Sequence, residues 1–245
     1  MEPAPRDSEK SFAKGLEVLQ AGDADAFRRF LEEDPAASEA RDATGVSLLM
    51  HSLYRGRRDL AELIAGKKTT LDIFEATAMG RLDRLQGCIG DASAINSRSL
   101  DSRSLDSRSL DSRSKDGFTA LHFACFFGQG EAARLLIEAG AAVDAVSTNP
   151  MHLMPLHSAA SARNLEAARL LLEHGAPVNA RQEGGWAAIH AGAANGDRLM
   201  VDLLLQHHAD PKLANDAGKT PAMVAREKGH EELAARLEDK GGATG

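Results

Sequence analysis

The chain contains few aromatic residues and few cysteines. Phe, Trp and Tyr make up 4% of its 245 residues, with a single Trp and a single Tyr. Its two cysteines, Cys88 and Cys125, cannot form the disulfide network that stabilises small secreted domains. Every apolar run is shorter than the roughly 20 residues that a membrane-spanning helix needs. We therefore expect neither a disulfide-rich secreted protein nor a helical membrane protein.

An excess of basic charge is also absent. The 29 Lys and Arg residues are outnumbered by 36 Asp and Glu residues, which gives a net charge of −7. Nucleic-acid-binding domains usually present a concentrated basic face, so we expect no nucleic-acid partner. The first ten residues are polar and charged and do not resemble a signal peptide. We expect a monomeric, cytoplasmic protein with free thiols and no membrane contact.

Alanine, leucine and glycine dominate the chain, and their spacing is helical. Within Glu131–Ala139 the apolar residues lie three and four positions apart, and Glu166–Glu173 repeats this spacing. Residues that favour strands, the β-branched ones above all, are scarce. The pattern predicts an all-α protein whose small side chains allow helices to pack closely.

Short related segments recur along the second half of the chain. They read GFTALH, HLMPLH, GWAAIH and GKTPAM, and they begin at Gly117, His152, Gly185 and Gly218. Their starts are therefore 35, 33 and 33 residues apart. An alanine-rich helical stretch, a turn residue and a second helical run follow each segment. Repeats of this length are typical of solenoids, in which each unit needs its neighbours to bury its apolar face.

These segments resemble the ankyrin repeat, a unit of about 33 residues with an opening like Thr-Pro-Leu-His. Thr220-Pro221, Pro155-Leu-His157 and Thr119-Ala-Leu-His122 carry the resemblance most openly. The resemblance implies an all-α ankyrin-repeat solenoid of about seven helix-turn-helix units with β-turn fingers. It also implies a function in binding other proteins.

The chain is divided into one repeat domain, residues 8–240, with expected flexible tails at 1–7 and 241–245. The predicted units are 8–41, 42–69, 70–96, 115–148, 149–181, 182–214 and 215–240. Turn residues at Gly22, Gly56, Gly80 and Gly128 are 34, 24 and 48 residues apart. The short interval indicates that the connection around Lys67–Leu71 has lost its long turn. The long interval indicates an insertion.

The insertion, residues 97–114, is a tandem repeat of five residues. From Asn96 the chain reads NSRSL, DSRSL, DSRSL, DSRSK. A period of five suits neither a strand nor a helix, because five residues turn a helix by about 500°. The composition is too polar to offset the cost of ordering the chain, so we expect a protruding loop on the turn side that is mobile or only locally ordered. Its identical copies indicate a duplication, whether natural or engineered.

The sequence shows no constellation that predicts catalysis, a metal or a cofactor. His122, His157 and His190 occupy equivalent places in successive units, and stacked helices lie about 10 Å apart, so these side chains cannot share one metal ion. In ankyrin repeats this histidine usually has a structural, hydrogen-bonding role. We therefore expect a protein that is not an enzyme and that has no cofactor.

The resemblance places the candidate binding site on a concave face formed by turn tips and the ends of first helices. The candidate residues are Tyr54, Arg55, Met79, Phe118, Phe126, Phe127, Met151, Leu153, Trp186 and Asn195. Aromatic residues in exposed apolar patches are typical contact residues. The alternative is that these rings pack against neighbouring turns as local core. A second possible function is that of a regulatory or inhibitory subunit that engages an enzyme through the inserted loop.

Overall fold

The computed structural model describes residues 5–96 and 110–242, with side chains described for 8–90 and 110–241. Within these ranges the structure consists of α-helices and turns, with one isolated β-bridge between Arg41 and Ser47. None of the helices there has the length and apolar character needed to cross a membrane. The all-α prediction is confirmed.

The fourteen helices of the described ranges form seven consecutive pairs, one in each predicted unit. The pairs are α1 (Pro5–Ala21) with α2 (Ala24–Glu33), α3 (Leu48–Tyr54) with α4 (Arg58–Ala65), α5 (Ile73–Met79) with α6 (Leu82–Asn96), α7 (Ala120–Phe126) with α8 (Gly130–Glu138), α9 (Pro155–Ser161) with α10 (Leu165–Glu173), α11 (Ala188–Ala194) with α12 (Arg198–Gln206), and α13 (Pro221–Glu227) with α14 (Glu231–Gly242). Helix α1 begins at Pro5 and α14 ends at Gly242, so helical structure extends into both expected tails.

Local sequence explains where these helices begin and end. Thr119 and Thr220 accept hydrogen bonds from the backbone N–H groups three residues later, which caps α7 and α13. Between the helices of a pair the chain adopts a positive φ, as at Gly128 (73°). Arg163 takes the same conformation with φ 58°, although a non-glycine residue there is unfavourable.

The core consists of alanine and leucine side chains between stacked helices, and it divides into two clusters. The larger cluster extends from Ile73 and Ala76 of α5 to Leu237 of α14. The smaller one contains the buried residues of α1–α4 together with Ala78, Met79 and Phe123. The third unit therefore contributes to both clusters.

Tight turns before the first helices form a row of fingers. We define the fingers as residues 41–47, 113–119, 146–154, 181–187 and 214–220. Each finger is closed by a backbone hydrogen bond across its base, such as that from Ser114 N to Phe118 O at 2.8 Å, and has a second one at its tip. The connection between α4 and α5 comprises only residues 66–72, so the third unit has no finger. This is the shortening that the 24-residue interval predicts.

The end of the inserted repeat is part of the ordered fold. Leu110 is 5% exposed and belongs to the larger apolar cluster. Asp111 accepts a hydrogen bond from Ala142 N at 2.9 Å, and Arg113 donates to Val146 O. Residues 110–114 are therefore locally ordered, because Leu110, the end of the third copy, enters the apolar cluster and the last copy leads into the finger of the fourth unit. Residues 97–109 lie outside the described residues.

Candidate protein-binding surface

Four candidate residues are aromatic and lie at the ends of α3 and α7 or in the finger before α7. We call Tyr54, Phe118, Phe126 and Phe127 the aromatic surface. The exposed fraction is 49% for Phe126 and 39% for Tyr54, whereas Phe118 and Phe127 are half-buried. The two exposed rings thus lie on a base of partly buried rings.

Ring contacts connect the second unit to the fourth. The Tyr54 and Phe127 rings stack at 26° with centroids 6.0 Å apart. Phe127 contacts Phe126 edge-on at 5.1 Å and Phe123 at 6.2 Å. Such pairs add to the energy of area burial. Local core packing therefore accounts for Phe118 and Phe127, while Phe126 and Tyr54 present much of their surface to solvent.

The Tyr54 hydroxyl group is fixed by a carboxylate. It donates a hydrogen bond to Asp116 at the tip of the fourth unit's finger. Burial, together with the negative charge and hydrogen bond of Asp116, raises the pKa of Tyr54 above its ordinary value. The phenol therefore remains protonated near neutral pH and acts as a donor.

Of the three candidate residues beyond the fourth unit's finger that lie in fingers, Met151 is more exposed than Leu153 and Trp186. Met151, at the tip of the fifth unit's finger, is 47% exposed. Leu153 is half-buried, and its carbonyl accepts a hydrogen bond from His122 Nε2 at 2.9 Å. Trp186 is half-buried against the His190 ring, with centroids 5.6 Å apart.

The structure corrects the prediction for Met79. Its side chain is only 1% exposed and belongs to the same apolar cluster as Leu53 and Phe123. An apolar side chain at this helix end gains more by entering the cluster than by facing water. Met79 therefore cannot contact a partner without rearrangement.

Arg55 and Asn195 make hydrogen bonds within the protein. Arg55 is exposed and donates to the backbone carbonyl of His51 at 3.1 Å. Asn195 Nδ2 donates to Ala160 O and Ser161 O, both at 3.2 Å, and so joins the sixth unit to the fifth. Arg55 remains accessible to a partner, whereas Asn195 is used mainly to hold two units together.

The three equivalent histidines have the structural role that the resemblance implies. Nδ1 of His122, His157 and His190 accepts from the backbone N–H at the start of its own helix, at 3.0 to 3.2 Å. Their Nε2 atoms donate to Leu153 O, Ala180 O and Lys219 O, which lie in the next finger or directly before it. Burial lowers the pKa of His122 to about 4, so its ring is neutral near pH 7. In the described part of the chain we find no cluster of three or more potential metal ligands.

Sequence reasoning missed a buried ion pair in the shortened connection. Lys68 Nζ lies 3.3 Å from Glu75 Oε1 and 2.8 Å from Glu39 Oε2. The side chains of Lys68 and Glu75 are each 1% exposed. Glu75 is the third residue after the cap Asp72, which is the spacing of a capping box and could have indicated its position. No sequence signal shows that Lys68 is its partner.

Comparisons with known proteins agree with the repeats seen in the structure. Residues 100–182 match the family model described as ankyrin repeats in three copies, and residues 184–216 match the model of a single ankyrin repeat. B-cell lymphoma 3 protein homolog of Mus musculus is 40% identical over 113 residues, which are 46% of this chain and 25% of that protein. B-cell lymphoma 3 protein of Homo sapiens is 42% identical over 113 residues, with the same shares.

A further relative is ARF GTPase-activating protein GIT2 of Mus musculus, which is 41% identical over 83 residues, 34% of this chain and 12% of that protein. The chain thus matches between 12% and 25% of the length of these relatives. The seven stacked helix pairs, the row of fingers and the histidine bridges between units lead to the same family as the matched segments. The chain therefore contains ankyrin repeats over residues 100–182 and 184–216, and its fold is an all-α ankyrin-repeat solenoid.

Proposed function

We propose that the chain is a non-catalytic module that binds a protein partner through the concave face of its fingers and first helices. The observation that carries this proposal is the pair of exposed rings, Phe126 and Tyr54, with Met151 exposed on the next finger. Aromatic and methionine side chains in exposed apolar patches are typical of protein interfaces. The rigid base of stacked rings reduces the entropy that these side chains lose on binding.

Arg55 and the half-buried Phe118, Leu153 and Trp186 would border this contact. The aromatic rings supply most of the binding energy, because a few aromatic residues usually dominate an interface. Arg55 would add polar contacts at the edge. The rival function, enzyme regulation through the inserted repeat, rests on residues 97–109, which lie outside the described residues.

The proposal is tested by comparing proteins captured by three forms of the chain. The double variant Phe126→Ser/Met151→Ser removes the two most exposed apolar candidates, and Leu199→Ser is the matched control because Leu199 is 67% exposed on α12. We expect quantitative mass spectrometry to find proteins that the parent and the control retain and the double variant loses. Affinity should fall by at least about 2 kcal/mol for such a partner.

Circular dichroism should show the same helical content in all three forms, because the substituted side chains are exposed. A set of captured proteins that does not change in the double variant contradicts the proposed surface. Loss of helical content in the double variant would also contradict it, because the side chains would then be part of the core.

A further inference from the structure

The row of fingers is interrupted at the third unit. Each of the last three fingers donates one backbone N–H to the finger before it: Thr148 N to Gly117 O at 3.0 Å, Glu183 N to Met151 O at 3.1 Å, and Asp216 N to Gly184 O at 3.0 Å. Lys115 N occupies the equivalent place in the fourth unit. It has no hydrogen bond within residues 5–96 and 110–242, since the third unit has no finger to accept one.

A cleft of about 490 Å³ lies where the missing finger would be, between the fingers of the second and fourth units. Its apolar wall includes Met50, Ile73, Phe74 and Phe123. The volume is within the range of about 300 to 1,000 Å³ that is typical of ligand pockets.

The two fingers that border the cleft also touch each other. A β-carbon on Gly45 would lie 2.9 Å from Cγ of Lys115, so the lysine stem lies against the second unit's finger. The hydrogen bond from Tyr54 to Asp116 makes a second link between the same two units. These contacts fix the spacing of the cleft walls and leave the N–H of Lys115 at its border.

The uncompensated charge at the cleft is positive. The lining has a net charge of +1, from Arg41, Arg113 and Lys115 against Asp72 and Asp116. Asp72 is paired with Arg41 at 3.2 Å, whereas Asp116 accepts from the neutral hydroxyl groups of Tyr54 and Ser114 and keeps its negative charge. By contrast, among the described residues neither Lys115 nor Arg113 is paired with a carboxylate.

Arg113 donates to the carbonyls of Asp111 and Val146, and its buried Nε has no acceptor in the same part of the chain. A buried polar group without a partner is costly, so an acceptor supplied by a ligand is favoured there.

From this geometry we propose that the cleft binds an extended segment of a protein partner, with one large apolar side chain flanked by acidic residues. The apolar side chain enters the cleft against Phe74 and Phe123. A backbone carbonyl of the segment accepts the hydrogen bond from Lys115 N, as the preceding finger does in other units. The acidic residues lie near Lys115 and Arg113. Peptides that add to an exposed backbone edge combine affinity from main-chain hydrogen bonds with specificity from side-chain pockets.

The cleft adjoins the aromatic surface, since Asp116 at its border accepts from Tyr54, but its lining includes neither Phe126 nor Met151, the exposed side chains that carry the proposed function. The proposal therefore goes beyond the proposed function, and the two can fail separately.

Three synthetic peptides test the chemistry of the ligand. The probe is Ac-Glu-Asp-Leu-Asp-Glu-amide, and two matched peptides replace its Leu by Ser or its four acidic residues by Lys. In nitrogen-15 correlation spectra of the full chain, we expect saturable shifts at the Lys115 amide with the acidic Leu peptide. The Ser peptide should bind about tenfold more weakly, and the Lys peptide should not bind. Equal binding of all three peptides, or the absence of saturable shifts at Lys115, overturns the proposal.

Two variants test the location. Lys115→Glu should lower the affinity for the acidic Leu peptide at least about tenfold. The control Lys228→Glu, at an exposed lysine of the seventh unit, should leave that affinity unchanged. Inserting a copy of residues 179–187 between Thr69 and Thr70 restores a finger to the third unit and should abolish binding. If the insertion unfolds the chain, Lys115→Glu alone decides. Unchanged affinity in Lys115→Glu overturns the assignment.

Phe126→Ser separates this site from the proposed function. It should leave the affinity for the acidic Leu peptide unchanged, because Phe126 does not line the cleft. Loss of peptide binding in Phe126→Ser would place the peptide on the aromatic surface and so overturn the cleft proposal while supporting the other one.

Discussion

At the scale of single residues, the third position of each first helix illustrates how one site serves different contacts. His122 in α7 bonds back to its own helix start and forward to the next finger. Glu75 in α5 bonds back to Asp72 N, and its charge pairs with Lys68 in the shortened connection. The sequence predicts the histidine role from the repeated motif. It does not predict the ion pair, because that pair depends on which chain segments the missing finger brings together.

The pH dependence of stability should reflect the buried histidines. Because the pKa of His122 is lowered to about 4, the unfolded chain binds more protons than the folded one between that pH and about 6.5. Stability should therefore be complete above pH 6.5 and fall as the pH decreases towards 4. His122→Met, which copies the residue type of Met50, should reduce this slope in urea unfolding experiments.

At pH 7 the same substitution should cost about 1 to 3 kcal/mol, since Thr119 N and Leu153 O lose their buried partner. A slope that does not change in His122→Met would show that this ring does not titrate as its burial requires.

The Lys68–Glu75 pair should show a different pH effect. Removing one partner of a buried ion pair usually costs about 3 to 5 kcal/mol, so Lys68→Met should be strongly destabilised at pH 8. Burial raises the pKa of Glu75, so the folded chain binds a proton at Glu75 more readily than the unfolded chain does. The free energy of unfolding therefore decreases as the pH rises above about 4.5 and Glu75 ionises. The loss of stability caused by Lys68→Met should therefore be smaller at pH 5 than at pH 8. The exposed neighbour Lys67→Met is the control, and an equal loss at both pH values would contradict the role assigned to Glu75.

At the scale of elements, the regular units could be predicted and the insertion only in part. Spacing alone gives the seven helix pairs and the short connection at residues 66–72. It cannot tell which copy of the five-residue repeat replaces the normal turn, because the copies differ only at Asn96 and Lys115. The structure assigns that role to the end of the repeat, since Leu110 of the third copy lies in the apolar cluster and the last copy contains the start of the finger that closes through Ser114 and Phe118.

Leu110 should consequently contribute to stability. Replacing this buried leucine by serine removes apolar burial and leaves a hydroxyl in an apolar site, so Leu110→Ser should cost about 2 to 4 kcal/mol. The same change at the exposed Leu199 should cost less than about 0.5 kcal/mol. Urea unfolding of both variants measures the difference. Equal stabilities would mean that residues 110–114 do not contribute to the core as described.

At the scale of the whole molecule, the sequence predicts where the candidate surface lies but not which of its side chains are buried. The family pattern indicates which residues stand at helix ends and turn tips, and it identifies Phe126, Tyr54 and Met151 correctly as exposed. It cannot indicate that Met79 enters the apolar cluster, because that depends on the space left by neighbouring units. The cleft escapes sequence reasoning for the same reason.

The interruption in the third unit should also divide the stability of the solenoid. Neighbouring units stabilise one another, and the second and third units lack the finger-to-finger hydrogen bond that joins the later ones. Leu60 is buried in the smaller cluster and Leu171 in the larger one. Leu60→Ala should therefore accelerate hydrogen exchange in α1–α4 while leaving α9–α14 protected as in the parent. Leu171→Ala, the matched change, should accelerate exchange in α7–α14, because those units share one cluster and a continuous row of fingers. A uniform acceleration along the chain in both variants would show that the solenoid unfolds as one unit despite the missing finger.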